Sequence, residues 1–294
     1  MSELRYDTLV LRRQGLTRDV PPGDNEDLRS VANSATLIYG DQDAVLVDTF
    51  MTIEENARLI DWIRSQRRNL THIFLTHGLG DHVYGIGQLQ EAFPTAQAVA
   101  TAGTVAEARR EAGDEYRVGF FGRLFPDQIP PQPAIPTELS GDTIALEEHQ
   151  LRVIDTGHTD TTSTSVLWCP SLRLLVAGDV VYNRTQMYLG ESTAASRREW
   201  IAMLTKLKDL DPLHVVAGHK QPDGTDDPSD IDESIQYLTD FNDAEARTTT
   251  PTELYQAVLQ KHPRRANPGS AWGAAKMAKG TWPASRSAAS HSPH

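Results

Sequence analysis

A layered α/β fold is what this sequence predicts, from three observations. Short apolar, β-branched runs alternate with segments of helical periodicity. Several of those runs end in a Gly-containing turn that carries His or Asp. No internal repeat recurs at the periods of stacked-repeat proteins.

The first unit is a hairpin, in which "ATLIYG" (35–40) and "AVLVD" (44–48) flank the polar turn Asp41-Gln42-Asp43. "TIEENARLIDWIRSQRR" then predicts a helix. Thr52 and Glu55 have the spacing of a capping box, and Ile53, Ala57, Ile60 and Ile63 fall near one face. "THIFLTH" (71–77) reads as a short buried strand, followed by a helical segment to about Phe93, "AQAVAT" as a strand and "TVAEARREA" as a helix. Residues 114–136 break the rhythm: Pro130, Pro131, Pro133 and Pro136 close a stretch rich in aromatics, Tyr116, Phe120, Phe121 and Phe125. Such a segment is either a lid over a pocket or a packed connector.

Strands return with "TIAL" (143–146), "LRVID" (151–155), "TSVLW" (164–168) and "RLLVAGD" (173–179). A helix around 196–209 has Trp200, Met203, Leu204 and Leu207 at helical spacing, and "HVVAGH" (214–219) is the last strand. Helices are expected over 228–247 and 251–261. The folded domain is therefore placed at 1–262. Residues 263–294 carry Trp272 and Trp282 but no periodicity, and are expected to be weakly ordered.

Composition narrows the function classes. The chain has 294 residues, 39% hydrophobic and 23% charged, the profile of a soluble globular protein. A net charge of −12 argues against a general binder of nucleic acid or anionic membranes. No apolar run reaches the ~18 residues of a membrane span, and no secretory signal pattern opens the chain. Cys169, in "WCPS", has no second cysteine to pair with and reads as a packed thiol. A cytoplasmic location is the expectation. From Lys261 onward there are six Lys/Arg and no Asp/Glu, against 22 basic and 40 acidic residues before it. That basic tail is either solvated or folded back on the acidic body or on a neighbouring copy, as in a homo-oligomer.

Four of the ten histidines share one context, just past a β-like run in a Gly-containing turn. His77 and His82 follow "IFLT", His158 follows "LRVIDTG", and His219 follows "HVVAG". Asp179 ends "LLVAG" and Asp48 ends "AVLV" in the same way. Strand ends on one sheet edge converge, and imidazole with carboxylate is a donor set that zinc, iron and manganese accept. His72, His149, His214, His262, His291 and His294 lack this context and receive no role.

The motifs "THGLGDH", "DTGHT", "AGD" and "AGH", with Asp48 in "VLVDT", resemble in order and spacing the metal motifs of the metallo-β-lactamase superfamily, over about residues 33–220. The resemblance implies an αββα sandwich with a metal site at one edge of its two sheets. It implies a first site of His77, the residue at 79 and His158, and a second of Asp81, His82 and His219. Asp179 would bridge them and Asp48 would orient a ligand histidine. The family pattern is HxHxDH; this chain has Leu79 at the second histidine, and an isobutyl group has no lone pair.

The second site is therefore expected to fill first, with one zinc ion, while a second ion is weaker or absent; iron or manganese remain alternatives. Three readings follow: a single-metal hydrolase, a two-metal hydrolase with a loose first site, or a catalytically degenerate metal- or ligand-binding protein. In the hydrolase readings a metal-activated water attacks the substrate, and Asp81 is a ligand alone or also shuttles a proton. The expected substrate is a small, hydrophobic lactone, lactam or ester, held in a pocket walled by Tyr116, Phe120, Phe121, Phe125, Met187 and Tyr188. Arg117, Arg123 and Arg184 are candidates for holding a carboxylate. The long additional domain of relatives that act on nucleic acids and the flavin domain of di-iron relatives have no counterpart here.

Overall fold

In the computed structural model, which describes residues 3–12, 22 and 31–280, strand pairing explains most of the order of elements. The chain begins with β1 (Arg5–Arg12), β2 (Ala32–Tyr39), β3 (Asp43–Val47), α1 (Ile53–Gln66) and β4 (Asn69–Phe74). Next come α2 (Gly80–Val83), α3 (Ile86–Ala92), β5 (Gln97–Ala100) and α4 (Ala102–Glu111). Two short helices, α5 (Asp114–Tyr116) and α6 (Gly122–Leu124), flank a π-helical turn at Arg117–Phe121. Then follow β6 (Thr137–Glu138), β7 (Thr143–Leu146), β8 (His149–Gly157), β9 (Thr164–Cys169) and β10 (Leu174–Asn183). The chain closes with α7 (Ala194–Lys208), β11 (His214–Lys220), α8 (Ser229–Arg247), α9 (Pro251–Lys261) and α10 (Pro268–Ala278).

The strands hydrogen-bond in the order β6-β5-β4-β3-β2-β11-β10-β9-β8-β7, with β1 antiparallel on β2. Parallel pairs such as β3/β4 and β10/β11 need crossovers, which α1 and α7 supply. Side chains alternate between layers, as the two-residue strand period requires. In β3, Ala44 and Leu46 join Leu59 and Ile63 of α1, whereas Val45 and Val47 join Ile144, Leu151 and Leu167. In β10, Leu175 and Ala177 join Trp200 and Leu204 of α7, whereas Leu174 and Val176 join the same central cluster as Val45. The sheet is thus folded on itself into two leaves with one core between them and a helical layer outside each, an αββα sandwich.

The capping box at α1 is formed: Thr52 Oγ1 accepts from the Glu55 N–H at 3.2 Å, and Glu55 Oε2 accepts from the Thr52 N–H at 3.2 Å. Tyr116, Phe121 and Phe125 are buried in the core beside α1, with Phe120 packed on it. Each ring gains more by burial against leaf one than by facing water. One expectation is corrected: residues 268–278 are helical where weak order was expected. Ala271, Ala274 and Ala275 of α10 pack into the α7–α9 core, and Trp272 meets Tyr255 edge to face. Residues 281–294, with Trp282, His291 and His294, lie outside the described residues. Among the described residues no helix is long and apolar enough to cross a membrane.

Candidate metal centre

The two leaves meet at β2 and β11, where His219 is paired with Asn33, and most of the predicted strand-end residues gather at that seam. Among the described residues, two sets of side chains offer ligand atoms within 4.8 Å of one another: His77, His82 and Asp179, and Asp81, His82 and His219. Leaf one supplies Asp48 at the end of β3 and His77, Asp81 and His82 after β4. Leaf two supplies Asp179 from β10 and His219 from β11.

Each histidine has its Nδ1 engaged and its Nε2 directed inward. Asp48 takes a left-handed backbone (φ 62°), which Asp tolerates better than most residues. Its Oδ1 accepts from the Thr76 N–H at 2.8 Å, and its Oδ2 accepts from Thr76 Oγ1 at 2.8 Å. The same Oδ2 is 3.0 Å from His82 Nδ1, so that nitrogen donates. The Thr76 hydroxyl hydrogen is thereby committed, and His77 Nδ1, 3.0 Å from Thr76 Oγ1, must donate to it. His219 Nδ1 lies 3.2 Å from the Ala32 carbonyl oxygen and donates there. In the neutral imidazoles this leaves three Nε2 lone pairs at the seam; that of His82 lies 3.3 Å from the Asn33 Nδ2 donor, and those of His77 and His219 face the carboxylates.

Those carboxylates are close. Asp179 Oδ1 is 3.4 Å from His82 Nε2, and its Oδ2 is 3.0 Å from His219 Nε2. Asp81 Oδ2 is 3.7 Å from His219 Nε2 and accepts from Asn33 Nδ2 at 3.0 Å. The Tyr182 hydroxyl donates to Asp179 Oδ2 at 3.0 Å, and burial pushes that phenol up so that it stays a donor. Lone pairs facing lone pairs are tolerable only with a proton or a cation between them. The titration directions agree. Burial works against a charge on His82, but Asp179, Asp48 and Asp81 outweigh it and push the ring up to about 10. Burial would raise Asp179, yet His219, His82 and His77 hold it below the usual carboxylate range. Burial, then His82, lowers His77. His77 Nε2 and Asp179 Oδ1 are buried with no hydrogen-bond partner. This donor set fits a divalent ion.

His158 departs from expectation, and Leu79 does not. His158 is brought into neither set: its Nε2 lies 2.9 Å from the Glu191 carbonyl oxygen, to which it must donate, and that nitrogen has no lone pair left. Leu79 is buried, 7% exposed, and contributes no donor. Met187 is fully buried in the core under α7 and α8, with the partly buried Tyr188 packed on it. Arg117 and Arg184 pair with Asp114 and Asp223, and Arg123 is exposed.

Residues the motifs did not single out complete the centre. Thr76 and Asn33 lock ring tautomers and carboxylates. Glu107, 4% exposed, accepts from the Gly78 N–H at 3.0 Å, from Arg110 and from the Thr161 hydroxyl, which ties the loop of His77 to the loop after β8. Asp160 in that loop, not His158, faces His77: Oδ2 to Nε2 is 3.8 Å. Its signal was present in the sequence, an acid two residues beyond the chosen histidine.

An αββα sandwich with clustered His and Asp at the seam of its leaves defines a metallohydrolase-like class of fold. The comparisons agree with it. The metallo-beta-lactamase superfamily model matches residues 29–219, and the chain belongs to that superfamily. The metallo-beta-lactamase type 2 of Bacteroides fragilis is 23% identical over 199 residues, 67% of this chain and 72% of that protein. Among solved structures, a metallo-beta-lactamase from Pontibacter korlensis has 17% identity and a TM-score of 0.57, covering 80% of this chain and 99% of that one. FIM-1 from Pseudomonas aeruginosa, in a mono-zinc form, has 14% identity and a TM-score of 0.57, covering 82% and 92%. These structural likenesses show the fold.

Proposed function

We propose that this protein is a metal-dependent hydrolase of a small, hydrophobic lactone, lactam or ester. The observation that carries the reading is the convergence of three tautomer-locked Nε2 atoms with Asp81 and Asp179 at the seam. His82, His219, Asp81 and Asp179 would hold one zinc ion: two neutral donors and two carboxylates, enough to neutralise its charge. When bound, such an ion lowers the pKa of a water toward ~7 and polarises the bond to be cleaved.

The remaining work belongs to the protein. Asp48 fixes His82 through Nδ1, and Asn33 holds the Asp81 carboxylate. Asp81 is 14% exposed, against 2% for Asp48 and 3% for Asp179, so it is the carboxylate placed to pass a proton between the centre and solvent. That makes it both ligand and proton carrier in this reading. Membership of the superfamily supports the reaction class, and the lactam option draws on relatives named as β-lactamases.

Leu79 favours a second reading, a degenerate binding protein that keeps the fold. A panel of lactones, lactams and esters separates the two. The hydrolase reading expects turnover that chelation removes, zinc restores and His219→Ala lowers by about 10²-fold or more. No metal-dependent turnover from the native chain, with activity appearing only in Leu79→His, would favour the binding protein.

A further inference from the structure

We propose that Arg265 is a positioning residue: with Ala266 it straps down residues 184–191, which border the metal centre, and thereby sets how tightly substrate is held. The effect on substrate rests on the hydrolase reading. The strap itself lies beyond residues 29–219, which the superfamily model matches.

Residues 184–193 join β10, which carries Asp179 and Tyr182, to α7, and apart from an isolated bridge at Thr185 they form no helix or strand. Holding such a segment in one conformation is costly in entropy, so its anchors decide where it lies. Arg184 takes a left-handed backbone (φ 52°), and strain of that kind persists only where the surroundings hold it.

On one side the segment meets the loop after β8. His158 Nε2 donates to the Glu191 carbonyl at 2.9 Å, and the Thr161 hydroxyl, shared with Glu107, is 3.1 Å from Glu191 Oε2. Glu107 in turn accepts from the Gly78 N–H, next to His77. Glu191 is thus linked through Thr161 and Glu107 to the backbone that presents a histidine of the centre.

On the other side the anchor is the turn between α9 and α10. Thr185 and Ala266 form a parallel β-bridge: the Ala266 N–H donates to the Arg184 carbonyl at 3.0 Å, and the Gln186 N–H donates to the Ala266 carbonyl at 2.8 Å. Gln186 Nε2 donates to the His262 carbonyl at 3.1 Å, and Gln186 Oε1 accepts from the Tyr237 hydroxyl at 2.8 Å. The Arg265 side chain, 8% exposed, crosses this junction. Its Nη1 donates to the Thr185 carbonyl at 2.9 Å, and its Nη2 donates to the carbonyl and the carboxylate of Glu233 in α8 at 3.1 and 3.3 Å. Its Cζ stands 5.1 Å from the Tyr237 ring centroid. One planar donor fork therefore joins the segment, α8 and the α9–α10 turn, which a lysine ammonium does only in part. Met187 and Leu189 supply the apolar anchorage in the core of leaf two. Without Arg265 those anchors and the metal ligands stay, while the backbone between Arg184 and Glu191 is freed at the rim where substrate is held.

The test compares zinc-loaded, full-length wild type with Arg265→Ala and Arg265→Lys. Hydrogen exchange over residues 184–193 and 158–161 should be at least about tenfold faster in Arg265→Ala, with β10 and β11 unchanged, and intermediate in Arg265→Lys. Lys261→Ala, which breaks the neighbouring pair with Asp240, should exchange like wild type. With whichever of the lactones, lactams and esters the wild type turns over best, Arg265→Ala should raise KM about tenfold, keep kcat within about twofold and retain the wild-type zinc count. Unchanged exchange over 184–193 overturns the proposal. So does a rise spread evenly over β10 and β11, which would make Arg265 a residue of global stability, and so does faster exchange with an unaltered KM. A wild type that turns over none of the panel defeats the hydrolase reading instead, and the exchange result still decides whether Arg265 positions the segment.

Discussion

His82 keeps a proton up to about pH 10 in the metal-free centre because Asp179, Asp48 and Asp81 surround a ring whose burial alone would strip it. The unfolded chain releases that proton near 6.5, so between the two values the folded state binds more protons. The associated stability is complete below about 6.5 and is lost as pH rises toward 10. Metal-free protein should therefore melt at a lower temperature at pH 9.5 than at pH 6.5, and metal uptake should tighten over the same window as the proton is displaced. A melting temperature that rises with pH in the chelated protein contradicts the assignment. At this scale the sequence was informative wherever a ligand-type residue closes an apolar run, as with Asp48 just past β3, Asp179 inside β10 and His219 near the end of β11. It was not informative in the loop after β8. Which of His158 and Asp160 turns inward depends on a left-handed glycine and on threonine hydroxyl bonds that no spacing rule encodes.

Two glycines explain why the motifs read "AGD" and "AGH". Gly178 has φ 50°, and a Cβ there would collide with the side chain of Thr76, the hydroxyl that joins Asp48 to His77. A Cβ on Gly218 would strike Asp179 Oδ1. β10 is irregular around Gly178, with its pairing to β11 shifting on both sides. Gly178→Ala should cost about 1–3 kcal/mol of stability and weaken metal retention at least about tenfold, read by denaturant melts and by competition with a chelating dye. Normal metal affinity in that variant would mean the Thr76 relay is unimportant. Elements with a local signature were legible, α1 through its capping box above all. The aromatic segment was not, because Tyr116 and Phe121 sit in a short helix and a π-turn, and Phe125 just past α6, with no period to reveal which side is buried.

Across the whole molecule, the centre takes donors from both leaves, and among the described residues the leaves are joined by the β2–β11 pairing and by the Ser165 N–H donating to the Thr76 carbonyl at 2.8 Å. An ion there ties the halves together, and ligand linkage gives about 4 kcal/mol of stabilisation at a thousandfold excess over Kd. The outer layer on leaf two extends past residue 262: Gln186 N–H donates to the Ala266 carbonyl at 2.8 Å, and α10 buries three alanines. Truncation after residue 262 should lower the melting temperature by several degrees, about 2–4 °C per kcal/mol lost. A Gly-interrupted, alanine-based helix has too faint a periodicity to announce this. The measurement that bears most directly on the account is elemental analysis of the chain purified without chelator, beside His219→Ala. At least about one divalent ion per native chain, substantially lost in the variant, is the predicted result. A native chain that holds no ion, even after zinc is added, would contradict it.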